Sequence, residues 1–306
     1  MPSIGPKLRI AGCLTAIVVC SLALPACTTG ILGPQGPIGA AEKSILIDSV
    51  AIMLAIVTPT IVAIFGFAWW FRASNTRARR LPEWAYSGRI ELVVWSIPAL
   101  VVMLLGGVAW IGSHDLDPAK PIASSRPPLE IQVVSLDWKW LFLYPEQKIA
   151  TVNTLTVPVG VPVHFSLTSA SVMNAFFIPQ LGSMIYTMNG MTTRLNLQAD
   201  TAGVFRGLSS HFSGDGFSDM NFEVHAVPAK DFPDWVQTTS KATATLDADS
   251  YGELVKQSSK VAPANYRLDD PDLFQSIATQ KIAAGPGPQG EPSTQPVPRS
   301  GGTDVR

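Results

Sequence analysis

At 306 residues the chain has room for one or two domains. Hydrophobic residues make up 47% of it and charged residues only 15%, with a formal net charge of −1. That balance argues against nucleic acid as a partner, because no basic patch lies outside one short loop. The apolar residues are concentrated in the first 111 positions, which points to membrane segments rather than one large soluble core.

The chain opens as a secretory signal, with Lys7 and Arg9 ahead of a largely apolar run from Ile10 to Leu24. The run ends in Leu24-Pro25-Ala26-Cys27, which resembles the bacterial lipobox. In lipoproteins that Cys takes a diacylglyceryl group on its sulfur and becomes the mature first residue. Residues 1–26 are therefore expected to be a signal peptide and 27–44 a lipid-anchored segment. Cleavage there would leave Cys27 as the single cysteine, so the mature chain could form no internal disulfide and offer no thiolate within its body to a copper site.

Ser49–Phe71 is an uncharged stretch of 23 residues and Leu92–Ile111 a second of 20. At about 1.5 Å per residue both cross a hydrocarbon core of roughly 30 Å. The spacing predicts membrane helices over 45–71 and 90–112. Pro59 and Pro98 lie inside them, as membrane helices tolerate. Trp69, Trp70, Trp84 and Trp110 fall near the expected interfaces. The connector 72–89 carries Arg72, Arg77, Arg79, Arg80 and Arg89 against the single acid Glu83, so it is expected in the cytoplasm, with both long flanks outside.

A Pro-rich linker, 113–128, precedes a change of character. From Leu129 onward short alternating or β-branched runs are split by turn residues: Glu130–Leu136, Thr154–Val159, Val161–Thr168, Thr193–Leu197 and Asn221–Val227. This spacing predicts a β-sandwich or small barrel over 129–235. Residues 236–282 are polar with weak helical character at Ala248–Ser258 and Pro271–Thr279, and read as a C-terminal arm. From Ala283 to Arg306, Pro, Gly, Gln and Ser dominate, and disorder is expected.

Within the β-rich region, Gly207–Met220 reads GLSSHFSGDGFSDM, with Ser209, Ser213, Phe217 and Met220 at steps of four, four and three. Cysteines at both serines and His at Phe217 would make this the ligand loop of a dinuclear copper centre, since copper prefers thiolate, imidazole and thioether. Hydroxyls and a phenyl ring do not serve. His114, His164, His211 and His225 share no ligand spacing, and no nucleophile elbow, phosphate loop or paired carboxylates stand out. The isolated chain is not expected to be catalytic.

This loop is similar to that of subunit II of the haem–copper oxidases, in the quinol-oxidising branch of cytochrome bo type. The resemblance extends to Val172–Pro179, to Asp137-Trp138-Lys139-Trp140 followed by Tyr144-Pro145-Glu146, and to the helix opening Glu91-Leu92-Val93-Val94-Trp95-Ser96-Ile97-Pro98. It implies two transmembrane α-helices followed by an all-β cupredoxin-like Greek-key domain and a short helical arm. Asn174 then stands where the copper-binding branch has its first His ligand. His211 stands where that branch offers a Glu backbone carbonyl, and Met220 is the one ligand type kept. As the resemblance implies, Asp137, Trp138 and Trp140 occupy an electron-accepting surface that here has no copper behind it, so their expected role is packing. No metal or cofactor is expected in this chain; haems and copper would belong to subunit I. Expected partners are subunit I, other small membrane subunits, membrane lipid and, for the complex, ubiquinol. The location implied is the bacterial inner membrane, with the lipidated N-terminus and the β-domain on the periplasmic side. Glu91 has two readings: an interfacial carboxylate beside Arg89 that is simply solvated, or the mouth of a proton channel into subunit I. A reading from another class is an exported lipoprotein whose β-domain binds a ligand and which has no oxidase partner.

Overall fold

The structure, a computed structural model, describes residues 30–79 and 81–287. The expected signal peptide and Cys27 lie outside the described residues, as does the tail beyond Gly287. Two long helices come first, α1 over Pro37–Trp70 and α2 over Gly88–Asp115. Both are long and apolar enough to cross a membrane. Leu54, Phe65, Leu92, Trp95 and Val102 are more than half exposed, which an apolar helix accepts only against lipid or a partner. Pro at the first helical position starts α1 favourably. Beside Pro59 the Thr60 hydroxyl donates to Ile56 O at 2.8 Å, adding a hydrogen bond where the proline ring withholds one. The last turn of α1 is closed by Arg72 Nη1 on Trp69 O at 3.0 Å and Asn75 Nδ2 on Trp70 O at 2.6 Å.

Helix α1 starts at Pro37, eight residues ahead of the expected 45. The extra turns lie outside the uncharged run and dock on the β-domain. Gly39 N–H donates to Leu181 O at 2.9 Å and Gln35 N–H to Gln180 O at 2.6 Å. Glu42 Oε1 accepts from both the amide and the hydroxyl of Ser183 at 2.8 Å each. Only glycine fits at position 36, because a Cβ there would sit 2.0 Å from Gln198 O.

The β-domain is a sandwich of mixed sheets. Its strands are β1 Leu129–Leu136, β2 Lys139–Tyr144, β3 Ile149–Val152, β4 Thr154–Pro158, β5 Val163–Ser169, β6 Asn174–Ile178, β7 Gly182–Thr187, β8 Thr193–Leu197, β9 Gly203–Ser209 and β10 Asn221–Val227. One sheet of seven strands runs β11-β12-β3-β2-β1-β5-β8, with β11 Thr245–Leu246 and β12 Ala264–Leu268. The other runs β4-β10-β9-β6-β7. Their facing surfaces enclose an aromatic core of Trp140, Phe142, Phe165, Phe176 and Phe222. The rings of Phe176 and Phe222 stack at 5.2 Å, and Trp140 meets Phe176 edge-on at 5.3 Å.

The C-terminal arm is more than a helical appendage. It supplies β11 and β12 to the larger sheet and short helices α3 Phe232–Thr239, α4 Ala248–Leu254 and α5 Leu273–Ala278. Tyr251, Leu273, Phe274 and Ile277 cover the outer face of that sheet, against Val134, Leu136, Leu141 and Leu143. Strand β2 is consequently buried on both faces and shows no alternation. Residues 283–287, expected to belong to the unstructured tail, are instead tied down. Gly285 N–H donates to Ala170 O at 2.8 Å and Gly287 N–H to Asp137 Oδ2 at 3.0 Å. These backbone bonds need no side chain, so the composition of the segment did not forecast them.

Candidate functional site

The loop within 207–220 connects β9 to β10 and lies against the start of β6. Asn174 is the first residue of β6 and is buried; Ser209 is the last of β9 and is buried as well. Ser209 Oγ lies 3.2 Å from Asn174 Oδ1 and 3.2 Å from the carbonyl of His211, while Ala175 N–H approaches it at 3.4 Å. The position expected to offer a carbonyl therefore directs that carbonyl to Ser209. The His211 ring turns outward and meets Tyr186 edge-on at 5.7 Å.

Ser213 is buried with its hydroxyl unpartnered, while its carbonyl accepts from the Trp138 indole N–H at 3.1 Å. Phe217 opens a 3-10 turn and packs edge-on against exposed Phe212 at 5.7 Å. Met220 is buried; its N–H donates to Phe217 O at 3.1 Å and its carbonyl accepts from Ser209 N–H at 3.1 Å. Asn174, Ser209, His211, Phe217 and Met220 are thus chained together by short contacts. Ser213 joins the domain through Trp138.

Two glycines fit this loop to its support. A Cβ on Gly216 would lie 2.5 Å from the Trp138 ring, and one on Gly207 would lie 2.0 Å from the Phe222 ring. Trp138, expected to pack, lies against the loop itself; Gly216 was not picked out from the loop spacing, because its partner is far away in sequence. Asp137 and Trp140 are wholly inside the domain. The Asp137 carboxylate accepts from Ser171 Oγ and from Gly287 N–H. Lys139, between the tryptophans, is buried too. Its ammonium donates to Asp137 O at 3.1 Å, Lys256 O at 2.7 Å and Ser258 Oγ at 2.5 Å, so all three protons are used. Desolvation lowers its pKa from 10.5 to about 8, the Asp137 charge opposing the shift.

Copper does not fit this donor set. Two hydroxyls, an amide and a phenyl ring surround one thioether, and no thiolate lies in the domain. Among the described residues no three His, Cys, Asp or Glu side chains come together as a metal site. Glu91, the other candidate, lies in the first turn of α2 and is exposed, its N–H bonded to Ser87 O at 3.0 Å.

Two apolar spans and a cupredoxin-like sandwich docked on the first of them define a membrane subunit of the cytochrome oxidase type. Residues 130–227 match the family model described as cytochrome c oxidase subunit II, periplasmic domain. The cytochrome bo(3) ubiquinol oxidase subunit 2 of Pseudomonas aeruginosa is 47% identical over 260 residues, covering 85% of this chain and 78% of its own length. The ubiquinol oxidase subunit 2 of Acetobacter aceti is 43% identical over 263 residues, covering 85% of each. The corresponding protein of Pseudomonas putida is 44% identical over 256 residues, covering 84% of this chain and 82% of its own. The chain belongs to the family of ubiquinol oxidase subunit 2.

Proposed function

We propose that this subunit carries no redox centre and acts as a scaffold within a complex that oxidises ubiquinol and reduces oxygen to water. The observation that supports this most directly is the hydrogen-bonded loop itself, where Asn174 and Ser209 satisfy one another in place of a metal. A domain without copper has nothing to receive an electron from a soluble cytochrome, whereas a membrane quinol can deliver its electrons within subunit I. Haems and the remaining copper belong to subunit I in this reading, and proton translocation is a property of the whole complex.

The subunit sits in the bacterial inner membrane with its β-domain in the periplasm and Cys27 lipidated. The arginine-rich connector on the opposite side of both spans supports that orientation. Exposed Met184, Tyr186 and Phe212 flank the loop, on the side where Ser183 is docked to α1. That face meets subunit I. Glu91, exposed at the inner end of α2, takes protons from the cytoplasm and passes them to subunit I. Glu91→Gln should lower oxygen consumption with haem content intact; unchanged turnover would leave Glu91 a solvated interfacial residue. The reading as a whole is tested by purifying the tagged chain from its own membranes. Haem absorbance travelling with it, together with ubiquinol-driven oxygen uptake, is expected. A haem-free preparation would refute it.

A further inference from the structure

Helix α1 is longer than a bilayer requires. Its 34 residues reach about 51 Å at about 1.5 Å each, against roughly 30 Å of hydrocarbon. The surplus is at the outer end, Pro37–Asp48, ahead of the uncharged run. The segment leading into the helix folds back along this surplus. Pro34 shares the wall of a cavity of about 460 Å³ with Ala40, Lys43, Ser44 and Ile47, so residues just before the helix lie beside its third turn. Ile31 and Leu32 on this segment are each nearly half exposed.

Ser44 also borders a second cavity, of about 480 Å³, between the outer ends of α1 and α2. Its walls are apolar: Ala41 and Ile45 from α1, and Val108, Ile111 and Gly112 from α2. Asp115 and Ser44 supply the polar rim. The helices touch where Ile45 covers Gly112, since a Cβ there would lie 2.8 Å from the Ile45 side chain. The volume is within the ~300–1,000 Å³ of small-ligand sites.

The sequence position of Cys27 points to an occupant for this groove. Cys27 is three residues ahead of Gly30 in the sequence, and three residues of chain span at most about 11 Å. A lipid on that sulfur must cross the polar zone marked by Lys43, Asp48 and Asp115 to reach hydrocarbon. An apolar groove running through that zone removes the cost of exposing its methylenes to water. We propose that the groove between the outer ends of α1 and α2 seats one acyl chain of the lipid attached to Cys27. The proposal rests on the lipidation reading of Cys27.

The test uses the assembled complex in its native membrane, with cells fed a fatty acid that bears a photoreactive diazirine. After irradiation, the peptide beginning at Cys27 should be cross-linked to peptides containing Ala41–Ile45 or Val108–Leu116. Labelling of those peptides should fall at least several-fold in Cys27→Ser, and the Cys27-borne cross-links should fall likewise in the groove-filling Ala41→Trp. Groove labelling that is unchanged in Cys27→Ser would assign the groove to ordinary membrane lipid and overturn the proposal. So would a lipidated Cys27 whose cross-links fall only on other subunits or elsewhere on the helices. An intact mass showing unmodified Cys27 in the wild type would instead overturn the lipidation reading, which distinguishes the two failures.

Discussion

The two serines of the loop are chemically alike and differently placed. Ser209 holds three short contacts, to Asn174, Ala175 and the His211 carbonyl, whereas the Ser213 hydroxyl is buried with none. A buried hydroxyl without a partner costs about 1–3 kcal/mol, and deleting one member of a satisfied pair costs a similar amount. Ser209→Ala should therefore lower stability by about 1–2 kcal/mol, while Ser213→Ala should be neutral or stabilising by up to about 1 kcal/mol. Thermal unfolding of the two variants in the purified complex tests the contrast; equal losses would mean that both hydroxyls are bonded. Lys139 supplies a pH signature. Its folded pKa of about 8 lies below the ordinary 10.5, so between those values the unfolded chain holds a proton that the folded chain has released. Stability contributed by this group therefore rises with pH from about 8 towards 10.5 and is least below 8. At about 1.4 kcal/mol per unit the whole effect is at most a few kcal/mol. The stability difference between wild type and Lys139→Met should move in favour of the wild type as pH rises through this window. A difference independent of pH would show that Lys139 keeps its proton throughout.

Among the elements, several strands were legible from their residue pattern, and β2, buried on both faces, was not. Thr193–Leu197 and Asn221–Val227 have the bounds that their residue pattern suggested, and β1 begins one residue early. Lys139-Trp140-Leu141-Phe142-Leu143-Tyr144 gives no period of two, because Trp140, Phe142 and Tyr144 face the aromatic core while Leu141 and Leu143 face the arm. Strand β9 starts at Gly203 and carries Gly207, the second required where the Phe222 ring crosses it, and these glycines break its side-chain pattern. The loop spacing was legible because its steps are local. The bond that holds it, Trp138 to Ser213, joins residues 75 positions apart, and the bond that ties β2 to the arm, Lys139 to Lys256, joins residues 117 apart; no local pattern carries such pairs. The arm was underestimated for the same reason: its polar sequence hides a few apolar anchors. Phe274, only 4% exposed, is one of them. Phe274→Ala should cost about 3–5 kcal/mol and reduce the amount of subunit in the assembled complex. Wild-type levels would show the arm to be an appendage after all.

On the scale of the whole molecule, the sandwich is tethered to α1 and carries the loop on the side of that tether. Glu42 and Ser183 fix the domain to the first span, while Trp138 and Gly216 fix the loop to the domain. In the proposed reading the loop keeps the backbone of a copper site, with Ser209 hydrogen-bonded to Asn174 and to the His211 carbonyl where ligands would stand. The most direct test is to restore the ligands in the full complex with Asn174→His, Ser209→Cys, Ser213→Cys and Phe217→His together, leaving His211 and Met220 in place. Haem content and subunit stoichiometry establish that the variant has assembled, since buried ligands without metal cost about several kcal/mol. The assembled variant is predicted to take up copper and show thiolate-to-copper absorption that the wild type lacks. An assembled variant that takes up no copper and gains no such absorption beyond its haem spectrum would contradict the account, because the loop would then no longer hold the geometry of the site it resembles.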